Sequence, residues 1–151
     1  MSDCFVCQKH RGEIDVPGGA IYEDELVYSS HGVIDAARSD AYLGTLFVEP
    51  KRCLPGFGDL ARSEAERVGW LASRLAAALQ RCEGAEHVYL FVLGAHVAHL
   101  HLWLVPRYPG TPREFWGRPV ADWPGARRGD RAEIAALCER LRSDLRSQAE
   151  P

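Results

Sequence analysis

No stretch of the 151 residues approaches the roughly 20 consecutive apolar positions that a membrane-spanning helix needs, so no membrane partner is expected. The opening segment, MSDCFVCQKHRGE, lacks the basic-then-apolar pattern of a secretion signal, which makes the cytoplasm the expected compartment. Positive charge is not in excess either. The net charge is −3, without the basic footprint of a protein that coats nucleic acid. Lysine is nearly missing, with Lys9 and Lys51 the two exceptions among many arginines, a bias of coding rather than a functional signal. Nor is there an even set of cysteines. Five without a secretion signal argue against a disulfide framework and for metal binding or plain burial.

What is present reads as one globular domain covering residues 1–151, long enough to bury its own core. EIDVPGGAIYEDELVYSS carries a turn at Pro17-Gly18-Gly19 and two short strands, around Ile21 and over Leu26–Ser30, separated by acidic residues. YLGTLFVEP, Tyr42–Pro50, predicts one further strand. The clearest helix lies in ARSEAERVGWLASRLAAALQRCEG. Ser63 and Glu66 have capping-box spacing, Val68, Leu71, Leu75, Leu79 and Cys82 share one face, and Gly84 can end it. Cys82 and Cys138 are expected in the core. EHVYLFVLG, Glu86–Gly94, predicts a central strand. The region 108–151 predicts an irregular Pro- and Gly-rich segment followed by an amphipathic helix over about Asp130–Ser147. Strands, helix, strands, helix is the order of an α+β fold with an antiparallel sheet.

The chemistry concentrates in AHVAHLHLWLVPR, Ala95–Arg107. Strand alternation puts His99, His101 and Trp103 on one face and Leu100, Leu102 and Leu104 on the other. A neutral imidazole attacks phosphorus well near pH 7 if its substrate-facing nitrogen is unprotonated. A backbone carbonyl that accepts from the other ring nitrogen fixes that tautomer.

HLHLWLVPR resembles the signature of the histidine triad (HIT) superfamily, His-φ-His-φ-His-φ-φ with φ apolar, followed by Pro-Arg. Cys4-Phe-Val-Cys7, the acidic IYEDE, GTLFVEPKRC and Gly94 resemble further features of its zinc-bearing branch. The resemblance runs from about Cys4 to Arg107. It implies a HIT-like α+β fold of about five antiparallel strands and two main helices, paired into a homodimer. It also implies a nucleotide-like substrate attacked at its α-phosphate by the middle histidine, His101, through a covalent nucleotidyl-histidine. Backbone N–H groups around Gly94, Ala95 and Val97 would cradle the phosphate. A structural zinc on Cys4, Cys7, Cys53 and His99 follows, with Cys53 standing where relatives have histidine; His10 competes for that last place.

Three departures shape the expectation. Trp103 fills the third triad position, where an indole can donate one hydrogen bond or stack but cannot exchange a proton, or can simply pack on the sheet. His96 stands near the family's usual Ser/Thr and could protonate the leaving group or merely be exposed. The acidic residue that binds ribose is missing from YSSHGV, with Asp35 further along. Hydrolysis of a dinucleoside polyphosphate or nucleoside phosphoramidate and nucleotidyl transfer all remain open. The rival from another class is a catalytically silent zinc module that binds nucleotides or a protein.

Overall fold

The computed structural model describes residues 4–34 and 37–148, so Asp35 lies outside the described residues. The elements are α1 (Phe5–His10), β1 (Ala20–Glu23), β2 (Val27–His31), β3 (Ala41–Tyr42), β4 (Leu46–Pro50), α2 (Arg62–Glu83), β5 (His87–Phe91), β6 (Leu102–Arg107), β7 (Arg128–Gly129) and α3 (Arg131–Ser147). Five strands form an antiparallel sheet in the order β1-β2-β4-β6-β5, and β3 pairs with β7 in a two-stranded ribbon. This is the expected α+β architecture.

Register divides the large sheet into two faces, because residues directly opposite one another project the same way. Leu46 faces Leu104 and Val48 faces Leu102, and all four are buried on the back. There they meet α2 through Val68, Leu71, Leu75 and Leu79, and α3 through Ile134, Leu137 and Leu141, all fully buried. On the front, Tyr28 faces Glu49, Ser30 faces Phe47, and Phe47 faces Trp103. The short helix α1 lies over that face.

Several local expectations are corrected. The segment Tyr42–Pro50 is not one strand. It breaks at Leu43–Thr45, where Gly44 adopts φ +89°, and a Cβ there would sit 2.5 Å from the Tyr108 hydroxyl. Buried His31 holds this turn, donating from Nδ1 to the Gly32 carbonyl (2.9 Å) and accepting at Nε2 from the Gly44 N–H (3.0 Å). Burial pushes its pKa down despite the Gly32 bond, so it stays neutral. The strand in Glu86–Gly94 lies at an edge rather than in the centre, because the long helix returns the chain to the outside of β6. Helix α2 is not capped by Ser63 and Glu66. The Glu64 carboxylate accepts from the Ala61 N–H (2.8 Å), while Glu66 pairs with Arg62. Gly84 does end the helix, left-handed at φ +72°. Cys138 is core, as expected, but Cys82 is only half-buried. The irregular segment contains two 3-10 turns, Arg113–Phe115 and Arg118–Ala121, before β7. Asp130 caps α3 in a capping box with Glu133 (3.0 and 2.9 Å). No helix among the described residues is long and apolar enough to cross a membrane.

Candidate functional site

Two clusters sit side by side at the start of β6. The first is a metal centre. Cys4 caps α1, Cys7 lies one turn on, Cys53 follows β4, and His99 precedes β6; one ligand atom from each lies within 4.8 Å of the others. His99 Nδ1 is 3.4 Å from Cys4 Sγ and 3.5 Å from Cys7 Sγ. Its Nε2–H donates to the Pro50 carbonyl (2.8 Å), so the lone pair is on the nitrogen that faces the thiols. Burial is the main cause that depresses its pKa, keeping the imidazole neutral as a ligand must be. Burial, then the neighbouring Cys4 and Cys53, push the Cys7 thiol up to about 12. For Cys4, burial raises the pKa, but hydrogen bonds from Cys7 and Val6 outweigh it and the net direction is down. Three crowded sulfurs plus one oriented imidazole make a donor set suited to a tetrahedral dication such as zinc. The four protein ligands fill its coordination, so such a metal would have a structural role.

His10 is not part of this set. Its ring meets His99 edge-on with centroids 5.5 Å apart, and its Nε2–H is used by Glu49 (3.0 Å). Cys4 at the N-cap and Cys7 one turn later put the Cys-x-x-Cys pair at the start of α1.

The second cluster surrounds His101. Its Nδ1–H donates to the His99 carbonyl two residues back (2.8 Å), so in the neutral ring the lone pair is on Nε2, which has no protein partner among the described residues. The metal ligand and the candidate nucleophile are thus joined through one carbonyl. His101 opens on a cavity of about 190 Å³ whose apolar walls are Phe5, Val6, Val33, Phe47, Val97 and Trp103. Phe47 meets Trp103 edge-to-face with centroids 4.6 Å apart, and Trp103 lies 6.0 Å from the His101 ring. Trp103 Nε1 is buried and has no acceptor among the described residues. A second cavity of about 360 Å³ shares Val33, Phe47 and Trp103 with the first and is bordered by Arg38, Asp40 and Arg128. There Asp40 holds Arg128 at 2.9 Å and Arg38 at 3.4 Å.

Of the other expected residues, Val97 reaches the cavity, while Gly94, Ala95 and His96 are exposed on the loop before it. The N–H groups of Gly94–Val97 donate to no other protein group among the described residues. Sequence reasoning missed the remaining two cavity residues, Lys9 and Glu49. Their side chains are 2% and 1% exposed and 2.5 Å apart. The signal was there for Glu49, a carboxylate alternating with apolar residues on the same strand face as Phe47.

Comparison with known proteins places the architecture. No family model matches the chain, and no curated protein does. Among solved structures, a zinc-bound histidine triad family protein from Mycobacterium smegmatis aligns at TM-score 0.72 and 21% identity, over 98% of this chain and 99% of that one. A hypothetical histidine triad nucleotide-binding protein from Sulfolobus tokodaii gives TM-score 0.72 at 16% identity, over 95% and 93%. A histidine triad protein from Sinorhizobium meliloti gives 0.68 at 20%, over 96% and 99%. The fold is the histidine triad fold. Onto it this chain brings a Cys₃His metal centre and, two residues after His101, an indole at Trp103.

Proposed function

We propose that the protein hydrolyses or transfers a nucleotidyl group through a covalent phosphoramidate on His101. One observation carries this reading: the hydrogen bond from His101 Nδ1–H to the His99 carbonyl, which makes Nε2 a nucleophile beside a cavity. In the first step Nε2 attacks the α-phosphorus of a dinucleoside polyphosphate or nucleoside phosphoramidate, and the leaving group departs with the bonding electron pair. In the second, water or an acceptor hydroxyl attacks the same phosphorus, and the N–P bond breaks to restore the imidazole. The N–H groups of Gly94, Ala95 and Val97 would hold the phosphate oxygens, and Trp103 Nε1–H would add one donor. His96, exposed on the same loop, would protonate the leaving group. The cavity beyond Trp103 would take the leaving group.

Zinc bound by Cys4, Cys7, Cys53 and His99 would tie the N-terminus to the start of β6. In that role His99 keeps its carbonyl where His101 needs it. We place this chemistry in the cytoplasm, where its cysteines, none of them in a disulfide, would stay reduced. We also propose a homodimer through β5, an edge strand beside exposed Leu90, Val92 and Leu93.

The test is incubation with diadenosine polyphosphate or an adenosine phosphoramidate, a quench that avoids acid, and intact mass. A nucleotidyl adduct present in wild type and missing from His101→Ala is the expected result. Turnover should fall by roughly three orders of magnitude or more in that variant. No adduct with adenylate, guanylate or uridylate donors would leave a zinc module that binds without reacting.

A further inference from the structure

The cavity beside His101 has one wall that its apolar lining does not explain. Lys9 Nζ donates to Glu49 Oε1, and His10 Nε2–H donates to Glu49 Oε2. All three side chains are buried, at 2%, 1% and 6% exposure. The other buried carboxylates among the described residues, Glu64 and Glu83, are different: Glu64 pairs with Arg52, which is 53% exposed, and Glu83 is likewise held from outside. Its partners Arg127 and Arg140 are 38% and 48% exposed, and they staple the end of α2 to the C-terminal segment with their charge in water. Burying both members of an ion pair costs desolvation that an apolar pair of the same volume avoids, so stability does not account for Lys9 and Glu49. Their place does. Lys9 spends one of its three N–H groups on Glu49, and the faces of Phe47 and Tyr28, 5.1 and 5.8 Å away, support its charge. The two groups line the same cavity as His101, a donor and an acceptor set next to each other between aromatic and aliphatic walls.

We propose that Lys9 and Glu49 read the hydrogen-bonding edge of a nucleotide base held in this cavity. This rests on the reading of His101 as the attacking group of a nucleotide enzyme. Lys9 donates to a ring nitrogen or carbonyl oxygen, Glu49 accepts from the adjacent N–H, and the ring packs between the apolar walls. A lysine set against a carboxylate offers a donor beside an acceptor, which suits the edge of a heterocycle and not a second anionic group. A buried polar pair of this kind discriminates sharply, since a ring that lacks the matching edge leaves both groups unpaired.

The experiment is equilibrium binding of AMP, GMP, CMP, UMP and ribose 5-phosphate to the zinc-replete wild type and to Lys9→Met/Glu49→Leu. The double change leaves neither member of the pair unpartnered and frees only the His10 Nε2–H. Wild type should hold one of the four nucleotides at least about tenfold tighter than ribose 5-phosphate, and the double variant should compress that preference to about threefold or less. Zinc content and Tm report whether the variant folds. If it does not, Glu49→Gln, which keeps an amide oxygen for Lys9, should by itself reorder the four nucleotides. A tenfold preference kept by the folded double variant, or an order unchanged in folded Glu49→Gln where that variant is the one read, overturns the proposal. So does a wild type that forms the His101 adduct yet binds the nucleotides no better than ribose 5-phosphate. Absence of both adduct and nucleotide binding would instead overturn the reading of His101, and this inference with it.

Discussion

The two faces of the five-stranded sheet are built from the same alternating strands and do opposite work. The back is apolar over β4 and β6, where Leu46, Val48, Leu102 and Leu104 press on α2 and α3, and its buried polar side chains, Ser29 and His31, come from β2. The front puts Glu49, His101 and Trp103 on neighbouring strands, covers them with α1, and sets a four-ligand centre at their margin. On the back, burial supplies stability and any one residue is replaceable within a volume limit. On the front, buried polar groups cost stability unless they are partnered, as Lys9, Glu49 and His10 partner one another.

The largest effect expected on that contrast comes from the metal centre. Chelation, or Cys7→Ala, should cost about 3–5 kcal/mol and lower Tm by roughly 10 °C, because binding free energy at such a site is folding free energy. Metal analysis should find one zinc per chain in untreated protein, and a metal-free protein of unchanged Tm would break the contrast at once. Leu75→Ala on the back should cost a comparable 2–5 kcal/mol in denaturant unfolding, as a cavity in a packed core does. Zinc content and adduct formation should be untouched, and a loss of zinc there would mean that the faces are not independent.

Trp103→His is smaller in stability and larger in chemistry. It restores a proton-exchanging group beside His101 and should raise generic adenylate hydrolysis about tenfold or more. Turnover that stays level or falls would show the indole to be part of this protein's own substrate pocket. The smallest effect is at the turn between β1 and β2. The Asp24 carboxylate accepts from the N–H groups of Leu26 and Val27 (2.8 and 2.9 Å). Burial raises its pKa, but these bonds and the Tyr22 hydroxyl outweigh it, so the folded value lies below the ordinary one. Its contribution is therefore present at neutral pH and lost as pH falls through the folded value. Asp24→Asn should cost about 1 kcal/mol at pH 7, and the gap to wild type should close in strong acid. A gap that persists there would assign the effect to packing.

Much of the front face was legible because its chemistry is local. His99 and His101 sit two apart on one short segment, and Cys4 and Cys7 are one helical turn apart. Lys9 was not legible. Nothing at its position in α1 announces a carboxylate 40 residues away. The edge position of β5 and the broken strand at Gly44 escaped for a related reason. Strand propensity reports that a segment is extended, not which neighbour it pairs with.

The order of its elements, the alternation of His99, His101 and Trp103 against their leucines, and the residue types of the metal centre were fixed by the amino-acid order, since side-chain period and ligand chemistry are properties of short segments. Only the tertiary structure decided that Cys53 and not His10 joins Cys4, Cys7 and His99, that the His99 carbonyl orients His101, and that Lys9 meets Glu49 in the wall of the same cavity. Those contacts span tens of residues, and the packing of α1 across the sheet is what brings them within bonding distance.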